Sequence, residues 1–138
     1  MRGDDCPICH SIATETAVVE LEVSRLMMAP DAPMRGYAWL AFRRHVVELH
    51  DLTDAEGDAF MRDVRRSSRA IREVTGAVKL NYEIHGNTVP HLHMHIFPRY
   101  IGDAFEGGPI DPRIVQGSVY APGEFEATRA RVIAEFSK

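Results

Sequence analysis

Only two cysteines occur among 138 residues, so no disulfide framework organises the chain. No apolar run approaches the roughly twenty residues that cross a bilayer, and no membrane partner is expected. Positive charge is not in excess. Sixteen Lys and Arg against twenty Asp and Glu leave a formal net charge of -4, which supplies no field to hold nucleic acid non-specifically. The start, Met1-Arg2-Gly3-Asp4-Asp5, has no apolar stretch behind it, so the expected location is the cytoplasm rather than an export route. Repeats and low-complexity tracts are also missing. What remains is ordinary globular composition, 45% hydrophobic and 26% charged. The length suits one domain over residues 1–138, able to bury roughly two-thirds of its unfolded surface.

The two cysteines stand together in Cys6-Pro7-Ile8-Cys9-His10. The spacing is that of c-type haem attachment, but that chemistry takes place outside the cytoplasm. A redox pair of the thioredoxin kind needs a βαβ context, which a motif at the start of the chain lacks. Half of a zinc site, completed by distant histidines, is the third reading. Two small buried side chains are the fourth.

Hydrophobic periodicity orders the rest. Val18–Val23 and Arg25–Ala29 read as strands, Pro30–Pro33 as a loop closed by Gly36, and Tyr37–Phe42 as a buried strand. Thr53 with Glu56 forms a capping box. Behind it Ala59, Phe60, Val64, Ser67, Ile71 and Val74 recur at helical spacing up to a stop at Gly76. Arg62, Arg65, Arg66 and Arg69 read as a solvated face balanced by Asp58, Asp63 and Glu73. Val78–Ile84 and His91–Phe97 alternate as strands. An irregular strap over about 98–122 precedes a last helix from Glu124 to about Phe136.

The chemistry is concentrated in His91-Leu92-His93-Met94-His95-Ile96-Phe97. Alternation on a strand places His91, His93 and His95 on one face. Three partly buried imidazoles in a row each need partners. Two readings follow from the residue type. The row is a metal site, or one imidazole is a nucleophile and its neighbours handle protons and charge. The flanks favour the second. Gly86 permits close backbone approach, Asn87 and Thr88 offer donors for developing phosphoryl charge, and Arg99 offers a phosphate clamp.

At these residues the sequence resembles the histidine triad (HIT) superfamily, whose signature alternates three histidines with apolar residues. Gly36-Tyr37, Arg44-His45, Leu80-Asn81-Tyr82 and Gly86–Pro90 extend the likeness to a bacterial branch resembling dinucleoside polyphosphate hydrolases. The resemblance implies an α+β fold: a five-stranded antiparallel sheet with one long helix packed on it, and a C-terminal helix. It implies a homodimer whose sheets run together and a nucleotide substrate attacked at its α-phosphate. His93 would be the nucleophile, His95 would contact the phosphate and assist the leaving group, and His91 would support the site. Asn81 and Asn87 would lie near phosphate and ribose, with Thr88 beside them. Asp31 would bind ribose hydroxyls if the loop is offset. The resemblance also offers the cysteines a structural zinc, held by Cys6, Cys9, His45 and His91, with His50 as the rival of His45. It calls for no organic cofactor. His10 and His85 read as surface residues.

The leading expectation is therefore hydrolysis or transfer at the α-phosphate through a covalent nucleotidyl-histidine. A nucleotide-binding adaptor with vestigial catalysis, and a hydrolase whose metal sits on all three histidines, are the alternatives.

Overall fold

The computed structural model describes residues 3–111, 113 and 117–138. A 3-10 turn at Gly3–Asp5 leads into helix α1 (Pro7–Thr14), followed by strands β1 (Val19–Glu20), β2 (Ser24–Met27) and β3 (Ala38–Phe42). Helix α2 (Asp54–Thr75), strands β4 (Lys79–Glu83) and β5 (His93–Arg99), and helix α3 (Glu124–Glu135) complete the order. The strands form one antiparallel sheet in the order β1-β2-β3-β5-β4. This is the expected α+β architecture, with its long helix and C-terminal helix.

Register divides the sheet into two faces. Leu26, Leu40 and Met94 align across β2, β3 and β5, and they bury against Phe60, Val64 and Ile71 of α2. The opposite face carries Ala41 beside His93, Trp39 beside His95, and Glu83 on the far side of His95. His93 and His95 therefore sit on the face turned away from the long helix.

α2 begins and ends where its caps dictate. The Thr53 side chain accepts from Glu56 N–H, Glu56 returns the bond to the Thr53 backbone, and Gly76 closes the helix at φ +69°. The six residues expected on its apolar stripe are all buried.

Several boundaries differ from the sequence reading. The Val18–Val23 run supplies only a two-residue strand, because the chain turns at Glu22 and Val23. Asp63 causes this turn. It is 1% exposed, not part of a solvated face, and its carboxylate accepts from Glu22 N–H, Val23 N–H and Ser24 Oγ. β5 starts at His93 rather than His91 and runs on through Pro98 and Arg99. Pro98 is tolerated there because β3 pairing ends at Ala38 opposite Ile96, so the missing donor costs no ladder bond. α1 is an element the periodicity did not announce, although Pro7 stands at its first turn, where proline fits. Within the strap, Ile110 is buried with Met34 and Phe97 against Tyr37, Tyr100 and Phe105. Residues 112 and 114–116 of the strap lie outside the described residues.

Candidate active site and metal cluster

The start of β5 sets the chemistry. His93 Nδ1 lies 2.6 Å from the His91 carbonyl oxygen. A carbonyl only accepts, so Nδ1 carries the proton and Nε2 is left with its lone pair. The His93 ring stands 4.9 Å from the His95 ring, nearly perpendicular to it.

His95 Nδ1 lies 2.7 Å from the Tyr37 hydroxyl. Burial raises the Tyr37 hydroxyl above its ordinary range, and Glu83 adds to the effect. Burial pushes His95 down to about 4, with the charges of His93 and His85 contributing. Tyr37 thus keeps its hydroxyl proton beside a neutral ring, and with that hydroxyl donating to Nδ1 the His95 proton sits on Nε2. The pairing depends on how the chain reaches β3. Gly36 adopts φ +78°, and a Cβ there would lie 2.3 Å from Thr75 Cγ2. Only glycine brings the backbone this close while holding Tyr37 over His95.

His91 turns elsewhere. Its Nε2–H donates to the Phe42 carbonyl at 2.7 Å. Its Nδ1 lies 3.4 Å from both Cys6 Sγ and Cys9 Sγ and 3.2 Å from His45 Nδ1. Cys9 Sγ and His45 Nδ1 are 3.3 Å apart, and all four ligand atoms fall within 4.8 Å of one another. Zinc bonds of roughly 2.0–2.3 Å in a tetrahedron require ligand separations of about 3.3–3.8 Å. The donor set, two thiols and two imidazoles, and its spacing both fit zinc. Without a cation, burial and the neighbouring Cys6 push the Cys9 thiol up to about 11, an environment that a dication would reverse. The histidine of the cluster is His45, while His50 is exposed beside Asp51. Because His91 points to the cysteines, the three triad rings do not converge on one point, and the arrangement with a single metal on all three is not built.

The other expected residues divide. Asn87 and Thr88 are exposed in the β4–β5 loop, and Gly86 turns that loop at φ +76°. Asp31 is exposed in the β2–β3 loop. Arg99 corrects the phosphate-clamp expectation. Its guanidinium donates twice to Asp103 at 2.9 Å, and to Asn81 Oδ1, the Gly108 carbonyl and the Phe105 carbonyl. All five donors are spent on this chain, so Arg99 anchors the strap and the side chain of Asn81 anchors Arg99. Sequence reasoning assigned no role to Tyr37, nor to a pair on the same face, His85 Nε2 against Glu83 Oε2 at 2.9 Å. The only available signal for either was strand parity: Glu83 faces His95 across β4 and β5.

Residues 12–102 match the family model for the HIT domain. A curated relative, the AP-4-A phosphorylase of Mycobacterium tuberculosis, is 29% identical over 109 residues, 75% of this chain and 53% of that protein. The chain thus spans about half the length of the first curated relatives it matches. A solved histidine triad protein from Bradyrhizobium japonicum superposes with a TM-score of 0.76 at 30% identity, covering 87% of this chain and 89% of that one. A zinc-bound histidine triad family protein from Mycobacterium smegmatis gives 0.72 at 21% identity over 99% and 96% of the two chains, a likeness of fold.

Proposed function

Because this chain belongs to the HIT domain family, we propose that it is a nucleotide hydrolase or nucleotidyl transferase working at the α-phosphate through a nucleotidyl-His93 intermediate. The observation that carries this reading is the 2.6 Å bond from His93 Nδ1 to the His91 carbonyl. It leaves Nε2 as a neutral nucleophile on the sheet face away from α2. Attack on phosphorus forms the P–Nε2 bond and breaks the bond to the leaving group in line, a polyphosphate departing as its anion and an amine with a proton taken from solvent. His95, neutral and carrying its proton on Nε2, donates to a phosphate oxygen as charge develops there. Backbone and side-chain donors of Gly86, Asn87 and Thr88 assist it, and Asn81 and Asp31 border the nucleotide. Water or a second acceptor then takes the nucleotidyl group. The similarity to an AP-4-A phosphorylase supports dinucleoside polyphosphates as the substrate class, with nucleoside phosphoramidates presenting the same centre.

Zinc on Cys6, Cys9, His45 and His91 is structural in this reading, since four protein ligands leave no position open. It fixes His91, whose carbonyl orients the nucleophile. The homodimer joins two sheets along β4, the end of the strand order, where Val78 and Tyr82 are exposed. The test is mass spectrometry of protein quenched during turnover of an adenosine phosphoramidate. An adenylyl adduct on wild type that is lost with His93→Ala supports the mechanism. Turnover of the same donor by His93→Ala at the wild-type rate overturns it.

A further inference from the structure

Hydrolysis of a nucleotidyl-histidine needs a group that takes a proton from water. The imidazole nitrogens of the nucleophile's face are almost all committed. His93 Nδ1 holds its proton against the His91 carbonyl, and Nε2 is bonded to phosphorus in the intermediate. His95 Nδ1 is taken by the Tyr37 hydroxyl, and with Tyr37 as the donor its Nε2 carries the proton. His91 belongs to the cysteine cluster. Beside the triad rings, among the described residues, the imidazole that remains is His85, with its ring 6.0 Å from that of His95. The Glu83 carboxylate accepts from His85 Nε2–H at 2.9 Å. That bond fixes the tautomer, so the bare nitrogen is Nδ1. Glu83 is itself placed by the register that sets it opposite His95. The His85 side chain is 57% exposed, so water reaches it.

We propose that His85, oriented by Glu83, is the general base of the second step. This rests on the nucleotidyl-His93 reading above. Water gives one proton to His85 Nδ1 while its oxygen bonds to phosphorus. The P–Nε2 bond of His93 breaks, its electron pair returns to that nitrogen, and the nucleoside monophosphate departs. His85 then passes its proton to solvent. The first step, expulsion of the leaving group, does not use His85.

The test is rapid-mixing kinetics with an adenosine 5′-phosphoramidate bearing a fluorescent amine, on wild type, His85→Gln and Glu83→Gln. The amine burst should stay within about threefold of wild type in both variants. Decay of the adenylyl-protein should slow by about 100-fold or more in His85→Gln and by less in Glu83→Gln, so the adduct accumulates. Fluoride attacks phosphorus without losing a proton, and should discharge the adduct equally fast from wild type and His85→Gln. Unchanged decay in water, or decay slowed equally toward water and fluoride, overturns the base assignment while leaving the His93 reading intact. Turnover by wild type and His85→Gln with no adenylyl adduct in either protein overturns the His93 reading and this one with it.

Discussion

Each imidazole on the face of the sheet that carries His93 is defined by what its far nitrogen touches. A carbonyl against His93 Nδ1 leaves the lone pair on Nε2, whereas a Tyr37 hydroxyl donating to His95 Nδ1 leaves the proton on Nε2. Tyr37→Phe removes one neutral hydrogen bond, worth about 1 kcal/mol. We expect kcat/KM for nucleotide turnover to fall about two- to tenfold, and the denaturation midpoint to drop by the equivalent of about 1 kcal/mol. An unaltered kcat/KM would contradict the tautomer argument. His95 also links pH to stability. Unfolded, it titrates near 6.5, and folded near about 4. Between these values the unfolded chain binds more protons, so stability is complete above about pH 6.5 and declines as pH drops toward 4. His95→Gln should lose less stability than wild type between pH 7 and pH 5, measured by urea midpoint. Equal losses would refute that linkage. The triad and its cysteine partners were legible because motif spacing carries them. Arg99 was misread because its partners Phe105, Gly108 and Asp103 lie in a segment without periodicity. From sequence it is an unpaired cation beside a catalytic strand.

Among the elements, α2 was the most legible, since a capping box, an apolar stripe and a glycine stop agree on its limits. β1 was least so, because a buried Asp63 on a distant helix decides where the turn falls. The strap after β5 is held by Arg99 and Asp103, whose side chains are 10% and 6% exposed. Arg99→Leu leaves that carboxylate buried without its counter-charge, held only by the Tyr100 and Phe105 backbone N–H groups, which costs up to about 3–5 kcal/mol. Asp103→Leu added to it should recover part of the loss, so the double variant should be more stable than the sum of the singles predicts. Chemical denaturation of the four proteins checks this. Near-normal stability of Arg99→Leu with loss of turnover would restore the phosphate-clamp role.

At the scale of the molecule, the cysteine cluster ties the N-terminal segment to the sheet and to the strand that carries His93. Arg25 reinforces this by donating to the Ile12 and Glu15 carbonyls at the end of α1. Purified protein should contain one zinc per chain by elemental analysis. Cys6→Ser should lose it and melt at least about 5 °C lower, a shift of roughly 1–2 kcal/mol in a domain this size. Metal-free protein with an unchanged melting point would show that the four ligands are not a zinc site. In the proposed reading, binding of zinc, the orientation of the His91 carbonyl and the lone pair on His93 form one chain of cause.

That chain ends at one nitrogen, and the direct test is nucleoside monophosphate release from a diadenosine polyphosphate, an adenosine phosphoramidate and a nucleotide sugar, comparing wild type with folded His93→Ala. Release by wild type, reduced by about three orders of magnitude or more in the variant, is the predicted result. Comparable release by both proteins would contradict the account.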